Sequence, residues 1–233
     1  MWLIRLILVP LALALALGSC ASTAPDAVDE HELRAIAATA GPPPPSDVVA
    51  IVYTEGSGLY VEPLPPQSLI CLKPLGTIGC PVSRVYYGFA NVTGKQQADA
   101  EWLYRSADLA RNWVLVVGHL ATVTVRDHRN NTTSQQTWFM VAKLYMTPNR
   151  GRVVELHATQ FFYATGTTSN AQVVAISRGE QTPRAARITW TGLAASGSGG
   201  PSSVEDMFLA GQADFTRVPL PVTADEYFVR QTH

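Results

Sequence analysis

The chain reads as an α+β domain: a curled antiparallel sheet with a long meander, packed on one main helix and followed by short C-terminal helices. Three observations lead there. Residues 94–111 carry a helical pattern behind a capping box. Three long segments follow, at 113–127, 135–147 and 152–166, and each switches to strand-like patterning. The turns joining them are short and polar, and short connections between long strands favour antiparallel neighbours. A sheet with one apolar face then needs a covering layer, which the helix supplies. A mainly-β barrel with peripheral helices is the alternative.

Bulk composition sets the outer bounds. The 233 residues carry a formal net charge of -1, with 47% hydrophobic and 15% charged residues. That is enough chain for one sizeable core. Near-neutral charge removes the electrostatic footprint of a nucleic-acid binder, so no nucleic acid is expected as a partner.

The N-terminus is the most informative stretch. One early positive charge, Arg5, precedes an apolar run from Leu6 to Leu17 that is interrupted by Pro10. The run has the length of a signal-peptide core and is shorter than the roughly 20 residues that cross a bilayer. It ends in Leu17-Gly18-Ser19-Cys20. This apolar residue, two small residues and a cysteine resemble the lipobox of bacterial lipoproteins. The resemblance covers only these first 20 residues. It implies a signal peptide over residues 1–19 and a diacylglycerol thioether, with palmitate-type acylation, at Cys20. Ala21 stands where an aspartate would favour retention at the inner membrane, so the resemblance places the anchored protein on the outer membrane, facing the periplasm. Two or more acyl chains, at ~0.8 kcal/mol per buried CH₂, hold such an anchor stably.

Residues 20–47 read as a lipidated tether. Asp26 is placed to cap a short helix through Ala40, and Pro42 to Pro45 force a stiff extended spacer. His31 lies among Asp29, Glu30 and Glu32 on this helix and is read as part of a solvated face. Residues 48–233 form a single globular domain.

Within that domain, VVAIVYTEGSGLYVEP at 48–63 predicts two strands around Gly56-Ser57-Gly58. Further strands are expected near Leu69–Leu72 and Ser83–Val92. Cys71 and Cys80 flank a Pro- and Gly-bearing loop. With Cys20 assigned to lipid, they are an even pair in an oxidising compartment, and a disulfide is expected. Thr93-x-x-Gln96 supplies the capping box of the helix, whose apolar side runs through Ala98, Trp102, Ser106 and Leu109, with Leu103, Ala107 and Ala110 beside it. In the meander, Trp113, Leu115, Val117, His119, Ala121, Val123 and Val125 share one face, and Trp138, Met140, Ala142, Leu144 and Met146 another. Two more strands are expected at 171–177 and 185–191. Ser202-x-x-Glu205 and Thr223-x-x-Glu226 read as capping boxes of two short C-terminal helices. The layout is similar to cystatin-like and NTF2-like folds, as architecture only.

Chemistry is harder to find. No metalloprotease histidine pair, nucleophile elbow or phosphate-binding loop is present. His119 falls on an apolar strand face, His128 in a turn, and His233 is the last residue. His157 shares a strand face with Glu155 and Thr159, the one neighbourhood an envelope enzyme would use. No catalytic constellation exceeds chance, and neither a metal nor a cofactor is expected beyond the covalent lipid. The leading expectation is therefore a lipid-anchored binding or scaffolding domain with a protein partner in the envelope. A carrier or sensor of an apolar ligand is the alternative, lined by Trp138, Phe161, Phe162, Tyr163 and Trp190.

Overall fold

A computed structural model describes residues 47–71, 79–105, 114–127, 131–148, 160–191 and 200–233. The signal peptide, Cys20, the tether, His31, His128 and His157 lie outside these residues. The described chain contains eleven strands: β1 (Val48–Glu55), β2 (Gly58–Pro63), β3 (Cys80–Val82), β4 (Arg84–Tyr86), β5 (Val114–Asp127), β6 (Thr132–Met146), β7 (Gln160–Thr167), β8 (Asn170–Ala175), β9 (Arg184–Trp190), β10 (Met207–Ala213) and β11 (Leu220–Gln231). One α-helix is described, α1 (Gly94–Arg105). The architecture is thus mainly β, nearer the barrel alternative than the helix-covered sheet.

All eleven strands belong to one sheet, and half of it rolls shut. β7 pairs with β8, β8 with β9, β9 with β11, β11 with β10, and β10 returns to β7. Only the β9–β11 pair within this ring is parallel. A five-stranded ring closed along a path that skips a neighbour is a Greek-key closure, as in OB-type barrels, and that architecture by itself assigns no function. The remaining strands continue from β11 as an open sheet in the order β6, β5, β1, β2, β3, with β4 added to β6.

Small residues make the narrow barrel possible. Its interior holds Ala164, Ala171, Ala175, Ala186 and Ala224 among Phe162, Val173, Ile188, Leu209, Leu220 and Val222. Alternation then turns Phe161, Phe208 and Ala210 outward, and they bury against Val49, Ile51, Tyr53 and Leu115 of the open sheet. The other face of that sheet meets α1 through Ala50, Val52, Val114, Val116, Ala100, Leu103 and Tyr104. β1 is therefore covered on both sides. That explains why its sequence is a continuous apolar run rather than an alternation.

Several expectations are corrected here. β5 and β6 do form a long antiparallel hairpin, but β7 does not extend it. The outer edge of β6 is occupied instead by β4 at 138–140 and by β11 at 144–146. Residues 152–159 of the strand expected at 152–166 lie outside the described residues. The two C-terminal helices are strands: residues 207–213 form β10, and Thr223 and Glu226 lie inside β11. Every second β11 side chain from Leu220 to Phe228 is buried, a period that overrides the capping-box spacing. Ser203 does accept a hydrogen bond from the Glu205 N–H, at 3.4 Å, but only as a local turn. Residues 68–71 are not a strand, and Ile70 there is fully exposed. The strand expected at 83–92 stops at Tyr86, and Asn91 takes a left-handed φ of 49°.

The capping box on α1 holds. The Gln96 N–H donates to Thr93 Oγ1 at 3.2 Å, and the Thr93 N–H donates to Gln96 Oε1 at 2.8 Å. The helix turns a different side inward, however: Ala100, Leu103 and Tyr104 are buried, while Ala98 and Trp102 are exposed. The second half of the expected helix lies outside the described residues. Cys71 and Cys80 form the expected disulfide, with Cα atoms 5.8 Å apart.

Candidate functional site

Two side-chain constellations concentrate polar or aromatic chemistry in the described chain. The first is built on Asp206, in the turn before β10. Tyr145 of β6 and Tyr163 of β7 both donate their hydroxyls to Asp206 Oδ1, at 2.7 and 2.9 Å. Arg230 of β11 pairs with Oδ2. Partial burial alone would push the Asp206 carboxyl up, but the donated bonds from Arg230, Tyr145 and Tyr163 outweigh it and hold the carboxyl below its ordinary value. Burial, then the bond to Asp206, pushes Tyr163 up to about 12, and Tyr145 is raised further for the same reasons. At neutral pH the carboxylate is charged, both phenols are protonated, and the acceptor oxygens are occupied. That arrangement clamps the open sheet to the barrel.

The second constellation is a cleft of about 440 Å³ lined by Arg84, Val85, Tyr86, Tyr87, Gly88, Asn91, Val92, Gly94, Gln97 and His233. β4 forms one wall, and the start of α1 and the C-terminal residues form the other. The second wall is held together by His233 N–H donating to the Asn91 carbonyl at 2.9 Å and Gln96 Nε2 donating to the Thr232 carbonyl at 3.0 Å. Beside the cleft is an aromatic ledge. Phe89, 56% exposed, meets Tyr86 edge-on at 5.6 Å, and Tyr86 leans on buried Trp138 at 6.0 Å. The Arg84 guanidinium lies 5.5 Å from the centre of the Trp138 ring, and no carboxylate pairs with it among the described residues. Two other clefts, of about 560 and 350 Å³, flank the β1–β2 turn and the disulfide.

The residues proposed from the sequence as ligand-lining do not share one space. Trp138 packs under the β5–β6 hairpin, Phe161 and Tyr163 lie between barrel and sheet, Phe162 fills the barrel, and Trp190 packs at the barrel's margin against Tyr227. Phe215 stacks on Phe162 at 6.3 Å and is itself covered by Arg178, 4.1 Å from its ring centre. His119 is not a core histidine. It is partly exposed, with Nδ1 2.9 Å from Asp47 Oδ1. Among the described residues, no three His, Cys, Asp or Glu side chains gather as a metal site.

Sequence reasoning passed over both constellations. Asp206 directly follows the Ser202-x-x-Glu205 spacing that predicts a helix start, and Arg84 belongs to no motif. Their partners lie far along the chain, and only the folded sheet brings them together. No protein-family model, curated protein or solved structure matches the chain.

Proposed function

We propose that this chain is a lipid-anchored envelope protein, tethered through Cys20 to the outer membrane and facing the periplasm, whose β domain binds a protein partner. The observation that carries the binding role is the ledge of Phe89, Tyr86 and Trp138 beside Arg84. Aromatic and arginine side chains dominate binding hot spots because they present large, stiff contact area at modest entropic cost. Here the outermost ring is exposed while those behind it are held by packing, so the surface is preorganised. Packed aromatic clusters, rather than one enclosed space, support a binding surface over a carrier.

Two measurements test the proposal. A photo-crosslinking side chain placed at Phe89 is expected to capture a defined envelope protein, whereas one at exposed Thr223 on the barrel is not. Equal capture at both positions, or none at Phe89, overturns the binding role. For the anchor, Cys20→Ala is expected to abolish palmitate labelling and release the protein from membranes. Persistent labelling overturns it.

A further inference from the structure

We infer that the sheet face formed by β4, β6 and β5, on the side away from α1, is the docking surface of this chain's own tether, residues 26–40.

The two halves of the molecule supply an internal control, because the open sheet repeats the barrel's pairing order. In each, the first strand joins the second and the fourth, the fourth joins the fifth, and the fifth takes the third as a parallel neighbour. In the open sheet these are β1, β2, β5 and β6, with β3 and β4, separated by Ser83 alone, as the third strand. In the barrel they are β7 to β11 in chain order. Gly118 and Gly211 fix the correspondence, each lying against a fifth-strand carbonyl, that of Met140 and that of Thr223. Met140 then matches Thr223, Trp138 matches Pro221, Tyr86 matches Thr189, and Ala121 matches Asp214.

The matched positions have opposite surroundings. On the barrel, Thr189, Asp214 and Thr223 are exposed. On the open sheet, Tyr86, Trp138 and Met140 join Val123 in an apolar cluster, and none of the four is more than 5% exposed. The described members of this cluster all stand on three adjoining strands, β4, β6 and β5, and a single sheet does not cover its own face. Arg84 and Phe89 lean on Trp138 and Tyr86 at the β4 margin, whereas Val123 lies two strands away. A further layer therefore covers this half and leaves the other to solvent.

The start of the described chain points to what that layer is. Asp47 Oδ1 lies 2.9 Å from His119 Nδ1, and His119 stands opposite Met140, which stands beside Tyr86. The tether thus enters the domain at the margin of this same face. Ala40 precedes Asp47 by seven residues, about 20 Å of extended chain, and three strand spacings from β1 to β4 span only about 14 Å. Within 26–40, Leu33, Ile36, Ala37 and Ala40 recur at helical spacing, an apolar stripe suited to an apolar face. With that segment docked, only residues 21–25 separate Cys20 from the domain's surface, and the lipid holds the domain close to the membrane in one orientation. That consequence rests on the lipid anchor; the docking does not.

The test uses the full chain in detergent. Met140, shielded by the tether, is expected to be oxidised by peroxide at least about tenfold faster when Leu33→Asp and Ile36→Asp are introduced together. Met207, half-buried on the barrel, should react equally in both chains, which shows that the domain is intact. A photo-crosslinking side chain at Ala121 is expected to capture residues 26–40. Equal oxidation of Met140 in the two chains overturns the inference. Capture at Ala121 of residues 72–78, of any other segment or of a second protein in place of the tether also overturns it. Loss of palmitate labelling from the unaltered chain would remove the membrane orientation and leave the docking.

Discussion

Asp206 shows how much one residue can hold. It adopts a left-handed φ of 51°, which aspartate and asparagine tolerate better than most side chains, and from there it reaches three elements. Asp206→Asn preserves the backbone preference but removes the charge from the Arg230 pair, a loss expected to cost about 1–3 kcal/mol in denaturant unfolding. The acid side follows from the lowered carboxyl. Its contribution is present above the unfolded value, near 4, and is lost as pH falls through the folded value. The unaltered protein should therefore lose stability in acid more steeply than Asp206→Asn, measured as unfolding midpoint against pH. The phenols behave oppositely. With Tyr163 pushed up to about 12, its contribution is complete below about 10, the unfolded value, and disappears as pH rises past the folded one. Ultraviolet titration of phenolate should show Tyr163→Phe removing one late-ionising group.

At the scale of elements, two β-bulges decide which way side chains point. Between β5 and β6 the register shifts at Val117/Gly118, leaving Ala142 as the extra residue. Trp138 and Met140 consequently lie on the sheet face opposite to Leu144, although all were expected on one face. The same device recurs between β10 and β11 at Ala210/Gly211, where Asp225 is extra: Ala224 points into the barrel and Phe228 away from it. One inserted residue inverts everything beyond it, so period-two reading fails past the bulge. Each bulge lies opposite a glycine that admits a carbonyl: a Cβ on Gly118 would collide with the Met140 carbonyl, and one on Gly211 with that of Thr223. Gly118→Ala is expected to destabilise by about 1–3 kcal/mol, visible as a lower melting temperature. The disulfide is the other local constraint. Cys71→Ala with Cys80→Ala should cost about 2.5–3 kcal/mol on the loop-entropy argument, and reductant should have the same effect on the unaltered chain.

Across the described molecule there are three layers, α1, the open sheet and the closed barrel, the last two built from one continuous sheet. The barrel's interior is lined by alanines, Ala186 among them, and Ala186→Leu there is expected to overpack it by about 1–3 kcal/mol without altering membrane attachment, measured by thermal unfolding beside a fractionation assay. Much of this was legible in the chain. The first hairpin, the capping box at Thr93, the Cys71–Cys80 pair and the long β5–β6 hairpin follow from local patterns, because turns, caps and loop closure depend on residues close in sequence. Apolar runs likewise mark most of the remaining strands. What only the tertiary structure decided is non-local: the partner of each strand edge, the closure of β10 onto β7, the bulges that reverse a face, and the meeting of Arg84 with Trp138 and of Asp206 with Arg230. Those contacts join residues that no short-range pattern connects, and hydrogen bonding and packing across the sheet select them only once the chain has folded.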